Sequence, residues 1–362
     1  MPVLARRAAR EYKSIIRWLP NEILAEITSY SSNSDLVALC TTSRLFYAMA
    51  MRVLYHTVTL WNSAQLDGFL WTMAAHDHPI AALLTARLPD LVRRFAIEDK
   101  HGMLWRQDIT FQAEALAALL SKLPHLKSVE LCACTPDKLT DTLLERGSFK
   151  KLSQFTYTAR WQISSPLVSF LNRHSTITHL TLYHHGALQP SAAGAIHLPN
   201  LRSYRGDCFF EATAMPSVTY VYLDRPGDLD IEPTLKQLGA LAALRQLVIL
   251  FHGLTAAGIV DCVARNVPQV EILISVGRVN TPMSPEETLE IAASLEKFEG
   301  LSHLHLAGEV NDRDHDEDLS TVTMWGGACK TLSSIGLHYA FWQKSKGNWV
   351  EIPLSRDVRR YR

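Results

Sequence analysis

The side chains that could do chemistry in this 362-residue chain fall into an acidic run, two histidine groups and a cysteine pair. In Asp312-Arg313-Asp314-His315-Asp316-Glu317-Asp318, alternating carboxylates are of the kind that hold a hard cation. The run lacks the turn glycine and the closing bidentate glutamate of an EF-hand loop. Its charge pattern reads as a solvated loop after a strand at Leu306. His174, His179, His184 and His185 lie close in sequence, as do His76 and His78 around Asp77. Zinc needs convergent spacing with Cys or carboxylate, which neither group offers, so both read as surface histidines. Cys132 and Cys134 sit one residue apart at a strand end, which is not a redox motif. The chain has no Gly-x-Ser-x-Gly elbow, phosphate loop or dinucleotide fingerprint. The expectation is a binding protein, not an enzyme, with no cofactor and no metal. The alternative is an enzyme with a metal-binding loop over 312–318.

Composition agrees with that. Apolar residues make up 47% and charged residues 20%, as in ordinary globular proteins. Thirty-six basic and thirty-six acidic residues cancel, so there is no electrostatic footprint for nucleic acid or an anionic membrane. Six scattered cysteines without a Cys-x-x-Cys pair read as free thiols in a reducing compartment. Met1 to Arg17 is a basic extension without the apolar core of a secretory signal. The most apolar stretch, Leu238 to Val263, is interrupted by Arg245 and Asp261 and is too short between them to span a bilayer. The expected location is intracellular, in cytoplasm, nucleus or both.

Two kinds of element must position any binding residues. Over 18–60 the pattern predicts three short helices and a strand. Leu19-Pro20 opens the first, with Ile23, Leu24 and Ile27 on one face. Ser34 is the expected cap of the second, whose apolar side is Leu36, Leu39 and Cys40. Ser43 caps the third, where Phe46, Ala50, Val53 and Leu54 follow helical spacing, and His56 to Leu60 alternates like a strand. A unit this small needs neighbours to complete its core.

These residues resemble the F-box family. The match is Leu19-Pro20-x-Glu22-Ile23-Leu24-x-x-Ile27, then Asp35-Leu36-x-x-Leu39-Cys40-x-x-Ser43-Arg44-x-Phe46, closing on Leu54-Tyr55. It is ungapped and is most similar to the F-box proteins numerous in mushroom-forming fungi. The resemblance implies docking to a Skp-type adaptor and, through it, to a cullin–RING ubiquitin ligase. It implies Leu19, Pro20, Ile23, Leu24, Leu36, Leu39 and Leu54 as adaptor contacts and their supports.

Beyond residue 60 a phrase recurs. Leu-x-x-Leu-x-Leu or a variant ends at Leu131, Tyr157, Leu182, Leu223, Ile249, Leu306 and Leu337, with weaker copies ending at Ile97, Gly206 and Ser275. Most steps are roughly 25 to 30 residues, as in leucine-rich repeats. The short step from Gly206 to Leu223 marks a unit without a helix. Amphipathic helices are expected between strands. One is capped by Thr110 and carries Phe111, Ala115, Leu119 and Leu123. One opens at Ser165-Pro166, and one carries a capping box at Ser284-Pro285-Glu286-Glu287. Repeat asparagines are mostly absent, so the resemblance to leucine-rich repeats is loose.

The expected fold is α/β: a basic extension over 1–17, a three-helix F-box module over 18–60, a leucine-rich-repeat-like solenoid of about ten irregular units over 61–345, a parallel sheet backed by helices that forms one array, and a tail over 346–362. In each phrase the x positions beside the apolar ones face outward from the core. They include Ser128 and Glu130, Gln154 and Thr156, His179 and Thr181, Ser203 and Arg205, Tyr220 and Tyr222, and His303 and His305. Glu130, Arg205, Tyr220, Tyr222, His303 and His305 are the candidate contacts to an unidentified protein substrate, because such side chains suit a recognition face.

Overall fold

The computed structural model describes residues 19–75, 87–98, 110–132, 137–159, 164–184, 196–206, 215–224, 231–251, 255–277, 283–307, 314–338 and 340–352. The chain divides into two compact units, Met1–Leu152 and Ser153–Arg362. That division falls within 61–345, the stretch expected to form one array. Cys134, Cys208, His76, His78, His185, Asp312 and Arg313 lie outside the described residues, as do residues 207–214 of the short step from Gly206 to Leu223.

The first unit opens with helices α1 (Asn21–Ser29), α2 (Asn33–Cys40) and α3 (Arg44–Leu54), followed by strand β1 (Thr57–Leu60). Helices α4 (Ser63–Ala75) and α5 (Leu88–Leu91), strand β2 (Arg94–Ile97), α6 (Thr110–Ser121), β3 (Ser128–Leu131) and α7 (Asp137–Arg146) follow. Strands β1, β2 and β3 pair in parallel. Ser43 caps α3 as expected, accepting from the Phe46 N–H at 3.3 Å. The cap of α2 is Ser32, two residues earlier than expected: it accepts from the Asp35 N–H, and Ser34 stands in the first turn. Helix α6 also buries a different face from the expected one. Ala113, Leu116, Ala117 and Leu120 are buried, whereas Phe111 is 82% exposed. In a helix this uniformly apolar the periodicity does not single out one stripe, and packing against α4 and α7 chooses it.

The second unit runs β4 (Gln154–Ala159), α8 (Ser165–Arg173), β5 (His179–His184), β6 (Ser203–Gly206), β7 (Tyr220–Leu223), α9 (Glu232–Gly239) and β8 (Gln246–Phe251). It continues with α10 (Ala256–Asn266), β9 (Ile272–Gly277), α11 (Pro285–Leu295), β10 (His303–Ala307), α12 (His315–Ala328), β11 (Ser334–Leu337), β12 (Ala340–Ser345) and β13 (Asn348–Ile352). Strands β4 to β11 pair in sequence order, each parallel to the next. Strands β12 and β13 then add antiparallel. The 345/346 boundary therefore falls inside a hairpin. Lys346 (φ 50°) and Gly347 (φ 89°) supply the left-handed turn that a two-residue hairpin needs.

Register is set by a repeated hydrogen bond. The carbonyl of Ser153 accepts from both Thr178 and His179 N–H, that of Thr178 from Arg202 and Ser203, and that of Arg202 from Thr219 and Tyr220, at 2.9–3.1 Å. The pattern continues through Thr219, Arg245, Glu271 and Ser302. At several steps a hydroxyl adds a third donor to the same carbonyl, as from Thr178, Thr219, Ser302 and Ser333. One face of the sheet is buried: Phe155, Leu180, Tyr204, Val221, Leu247, Leu273, Leu304 and Ile335 form a continuous row through register. A second row includes Leu182, Leu223, Ile249, Leu306 and Leu337 but places Ser275 between Ile249 and Leu306. The Ser275 hydroxyl is buried and has no hydrogen-bond partner among the described residues.

Three further expectations change. Asp314 to Asp318 is no loop but the start of α12. Asp314 accepts from the Asp316 and Glu317 N–H groups, and the acidic first turn suits the positive end of the helix. Asp318 is buried and accepts from His338 Nδ1 at 2.8 Å. His174 is likewise buried, not on the surface. It ends α8, donates from Nδ1 to the Phe170 carbonyl at 2.7 Å and packs on the Phe170 ring at 4.2 Å. A ring carrying its own donor satisfies a helix-end carbonyl and can be buried there. The capping box at Ser284 is half-formed: Ser284 accepts from Glu287 N–H, but the Glu287 carboxylate accepts from Ala256 N–H at the start of α10.

Removing the orphan hydroxyl should help the fold. Ser275→Ala is expected to raise stability by about 1 kcal/mol, read as a higher urea midpoint. His174 makes stability depend on pH. Burial, opposed by its bond to the Phe170 carbonyl and aided by Arg173, holds its folded pKa below the usual histidine value. The unfolded chain then binds the proton first, so this contribution is full above about pH 6.5 and is lost as pH falls below it. A His174→Gln variant should show a flatter loss of urea midpoint between about pH 7 and 5 than the parent.

Candidate functional site

Helix α1 starts after Pro20, whose fixed φ of −55° suits the cap position. It turns Leu24 and Thr28 inward, and the Thr28 hydroxyl donates to the Leu24 carbonyl at 2.6 Å. That orientation leaves a second apolar stripe outside. Leu19 is 36% exposed, Ile23 41%, Ile27 55% and Tyr30 83%. From α2, Val37 is 58% exposed, whereas Leu36 is buried; Leu45 of α3 is exposed as well. The residues expected at an adaptor surface thus separate. Leu19, Pro20 and Ile23 face solvent, Leu24 and Leu36 are core, and Leu39 and Leu54 are half-buried. Ile27 was expected to share a face with Leu24 but lies outward. Tyr30 and Val37 were missed, although Ile23, Ile27 and Tyr30 recur at helical spacing.

Residues 16–61 match the F-box-like family model. The three helices, β1 and the exposed stripe all fall within this F-box-like domain or at its edge. No curated protein matches the chain. No helix among the described residues is long and apolar enough to cross a membrane.

The other candidate surface is the face of the second unit's sheet opposite its buried rows. Register lines up two transverse rows there. One runs Gln154, His179, Ser203, Tyr220, Gln246, Ile272, His303, Ser334. The other runs Thr156, Thr181, Arg205, Tyr222, Val248, Ile274, His305, Gly336, Phe341. All the expected contacts of this unit, Arg205, Tyr220, Tyr222, His303 and His305, lie in these rows. Glu130 belongs to β3 of the first unit; burial and the neighbouring Glu98 push its carboxyl up.

Two clusters stand out on this face. Arg205 lies over the Tyr222 ring at 4.2 Å and the Tyr183 ring at 5.6 Å, close enough for cation–π attraction. Burial pushes the Tyr183 hydroxyl up to about 12, against the pull of Arg205, and raises Tyr220 and Tyr222 in the same way. These hydroxyls stay protonated and can donate. At the other end, His305 packs against Phe341 at 4.9 Å. Its ring lies over Gly336, where any Cβ would run into its Cδ2. Between the clusters the face is aliphatic: Val248 is buried and Ile272 and Ile274 are half-buried. Sequence reading passed over these positions because their x residues are themselves apolar, and Tyr183 because it follows the phrase. Among the described residues no group of three or more His, Cys, Asp and Glu is gathered as for a metal.

Burial lowers the His305 pKa. Histidine NMR titration should place it below about 6.5, and Phe341→Ala should move it back up by admitting water.

Proposed function

We propose that this protein is the substrate-recognition subunit of a Skp–cullin–F-box type ubiquitin ligase and is not itself an enzyme. The reading is carried by one observation: a row of exposed apolar side chains within the residues that match the F-box-like model. Domains of this family typically bind Skp-type adaptors. On this reading Leu19, Pro20 and Ile23, joined by Ile27, Tyr30 and Val37, touch the adaptor, and Leu24, Leu36, Leu39 and Leu54 support them from within. The strand–helix units act as a leucine-rich-repeat-like solenoid. Its outward rows, with Arg205, Tyr220, Tyr222, His303 and His305, take the substrate. Glu130, on β3 of the first unit, is a separate acidic candidate.

The second reading is an adaptor-bound scaffold without a degradation role. It rests on the same exposed stripe, and ubiquitin transfer to a captured partner separates the two. The alternative of a metal enzyme at 312–318 is less favoured, because Asp314 and Asp318 already serve the start of α12 and His338.

Charge placed on the outer stripe tests the docking face. Ile23→Asp and Val37→Asp are each expected to weaken adaptor binding at least about tenfold, roughly 1.4 kcal/mol, with the thermal melt unchanged. Leu24→Asp should instead lower the melt, because it places a charge in the core. Parent-like adaptor affinity in both outer variants would defeat this reading.

A further inference from the structure

The outward face of the second unit is chemically asymmetric along its transverse row. Arg205 of β6 stands at one end of a stretch that continues through Tyr222, Val248 and Ile274. At the outward positions of β4 to β13, among the described residues, Arg205 is the only lysine or arginine. One cation therefore adjoins an aliphatic patch on a sheet whose neighbouring outward positions are hydroxyl, amide and imidazole groups.

We infer that this row binds an extended peptide segment that places one carboxylate side chain on Arg205 and an aliphatic side chain over Val248 and Ile274. The inference rests on the ligase reading for its biological setting and names the class of substrate that reading leaves open. The spacing follows from the sheet. Arg205 and Ile274 are separated by three strand steps, β6 to β9. At about 4.8 Å per step that is roughly 14 Å, or about four residues of extended chain. The segment crosses the strands because the distinct groups lie on successive strands and not along one.

Charge selects a carboxylate over a phosphate. Arg205 stacks one face on Tyr222, and hydrogen bonds to the Tyr183 and Tyr222 hydroxyls take up part of its donor fork. Asp224, whose charge is felt by both Tyr183 and Tyr222, lies close by and disfavours a dianion. A phosphate carries nearly two charges and is met by clustered cations, whereas a single guanidinium matches a single carboxylate. The protonated hydroxyls of Tyr183 and Tyr222 flank the guanidinium as further donors. The aliphatic part of the row supplies apolar area without competing for the charge.

Selection from a random library of peptides about nine residues long, on the immobilised full-length chain, tests this. The expected result is about tenfold enrichment of Asp or Glu at one position, with Leu, Ile or Val enriched three to five residues away. Arg205→Gln should abolish the acidic enrichment and keep the aliphatic one, which also shows that the variant is folded. Ile274→Asp should do the reverse. The inference is overturned if no sequence is enriched, if Arg205→Gln leaves the acidic preference intact, or if phosphoserine at the acidic position binds about tenfold tighter than Glu. Adaptor capture by the parent chain, measured in parallel, reports on the ligase reading separately: its failure would remove that setting without altering the peptide result.

Discussion

One backbone interaction recurs within both units, and the register of the outward side chains from β5 to β11 depends on it. A carbonyl just before one strand accepts two successive N–H groups, from the residue just before the next strand and from that strand's first residue. His56 and Arg93 do this in the first unit, and Ser153 through Ser302 do it in the second. Side-chain period along a strand is two, so a slip of one residue would exchange core and surface. Two bonds to one carbonyl at the start of β2, β3 and β5 to β11 leave no such freedom. The Thr178, Thr219, Ser302 and Ser333 hydroxyls add a further donor to the same carbonyls.

With register held, the two faces diverge in chemistry. The buried rows are nearly uniform in leucine, isoleucine, valine and aromatics; Gly206 and Ser275 depart from this, and Ser275 alone of the two brings a polar side chain. The outward row through Arg205 changes from Thr156 and Thr181 at β4 and β5 to Arg205 and Tyr222 at β6 and β7, then to Val248 and Ile274 at β8 and β9. Because steps between strands vary in length while register does not, insertions are absorbed outside the sheet. The short step from Gly206 to Leu223 and the longer ones after Ser275 all end in aligned strands.

The F-box-like domain follows the same logic on a smaller scale. Helix α1 carries two adjacent apolar stripes, and packing against α3 claims the one with Leu24 and Thr28. The remaining stripe is left exposed, as a module with too little core of its own would leave a partner-facing surface.

Strand positions were legible in the sequence because burial imposes a period that composition records directly: the recurring phrase falls on β3 to β5, β7, β8, β10 and β11. The F-box-like match was legible for the same reason, since its ungapped string of apolar anchors is local. Tertiary packing alone decided which apolar stripe of α1 and of α6 turned inward, because periodicity marks a face without saying what lies against it. It also turned the acidic run at 314–318 into a helix start and buried His174, since capping depends on where a chain bends. And it brought Arg205, Tyr222, Val248, Ile274 and His305 into one row. Their separation in sequence is set by helices and loops that carry no trace of the alignment, and only the pairing of successive strands makes them neighbours.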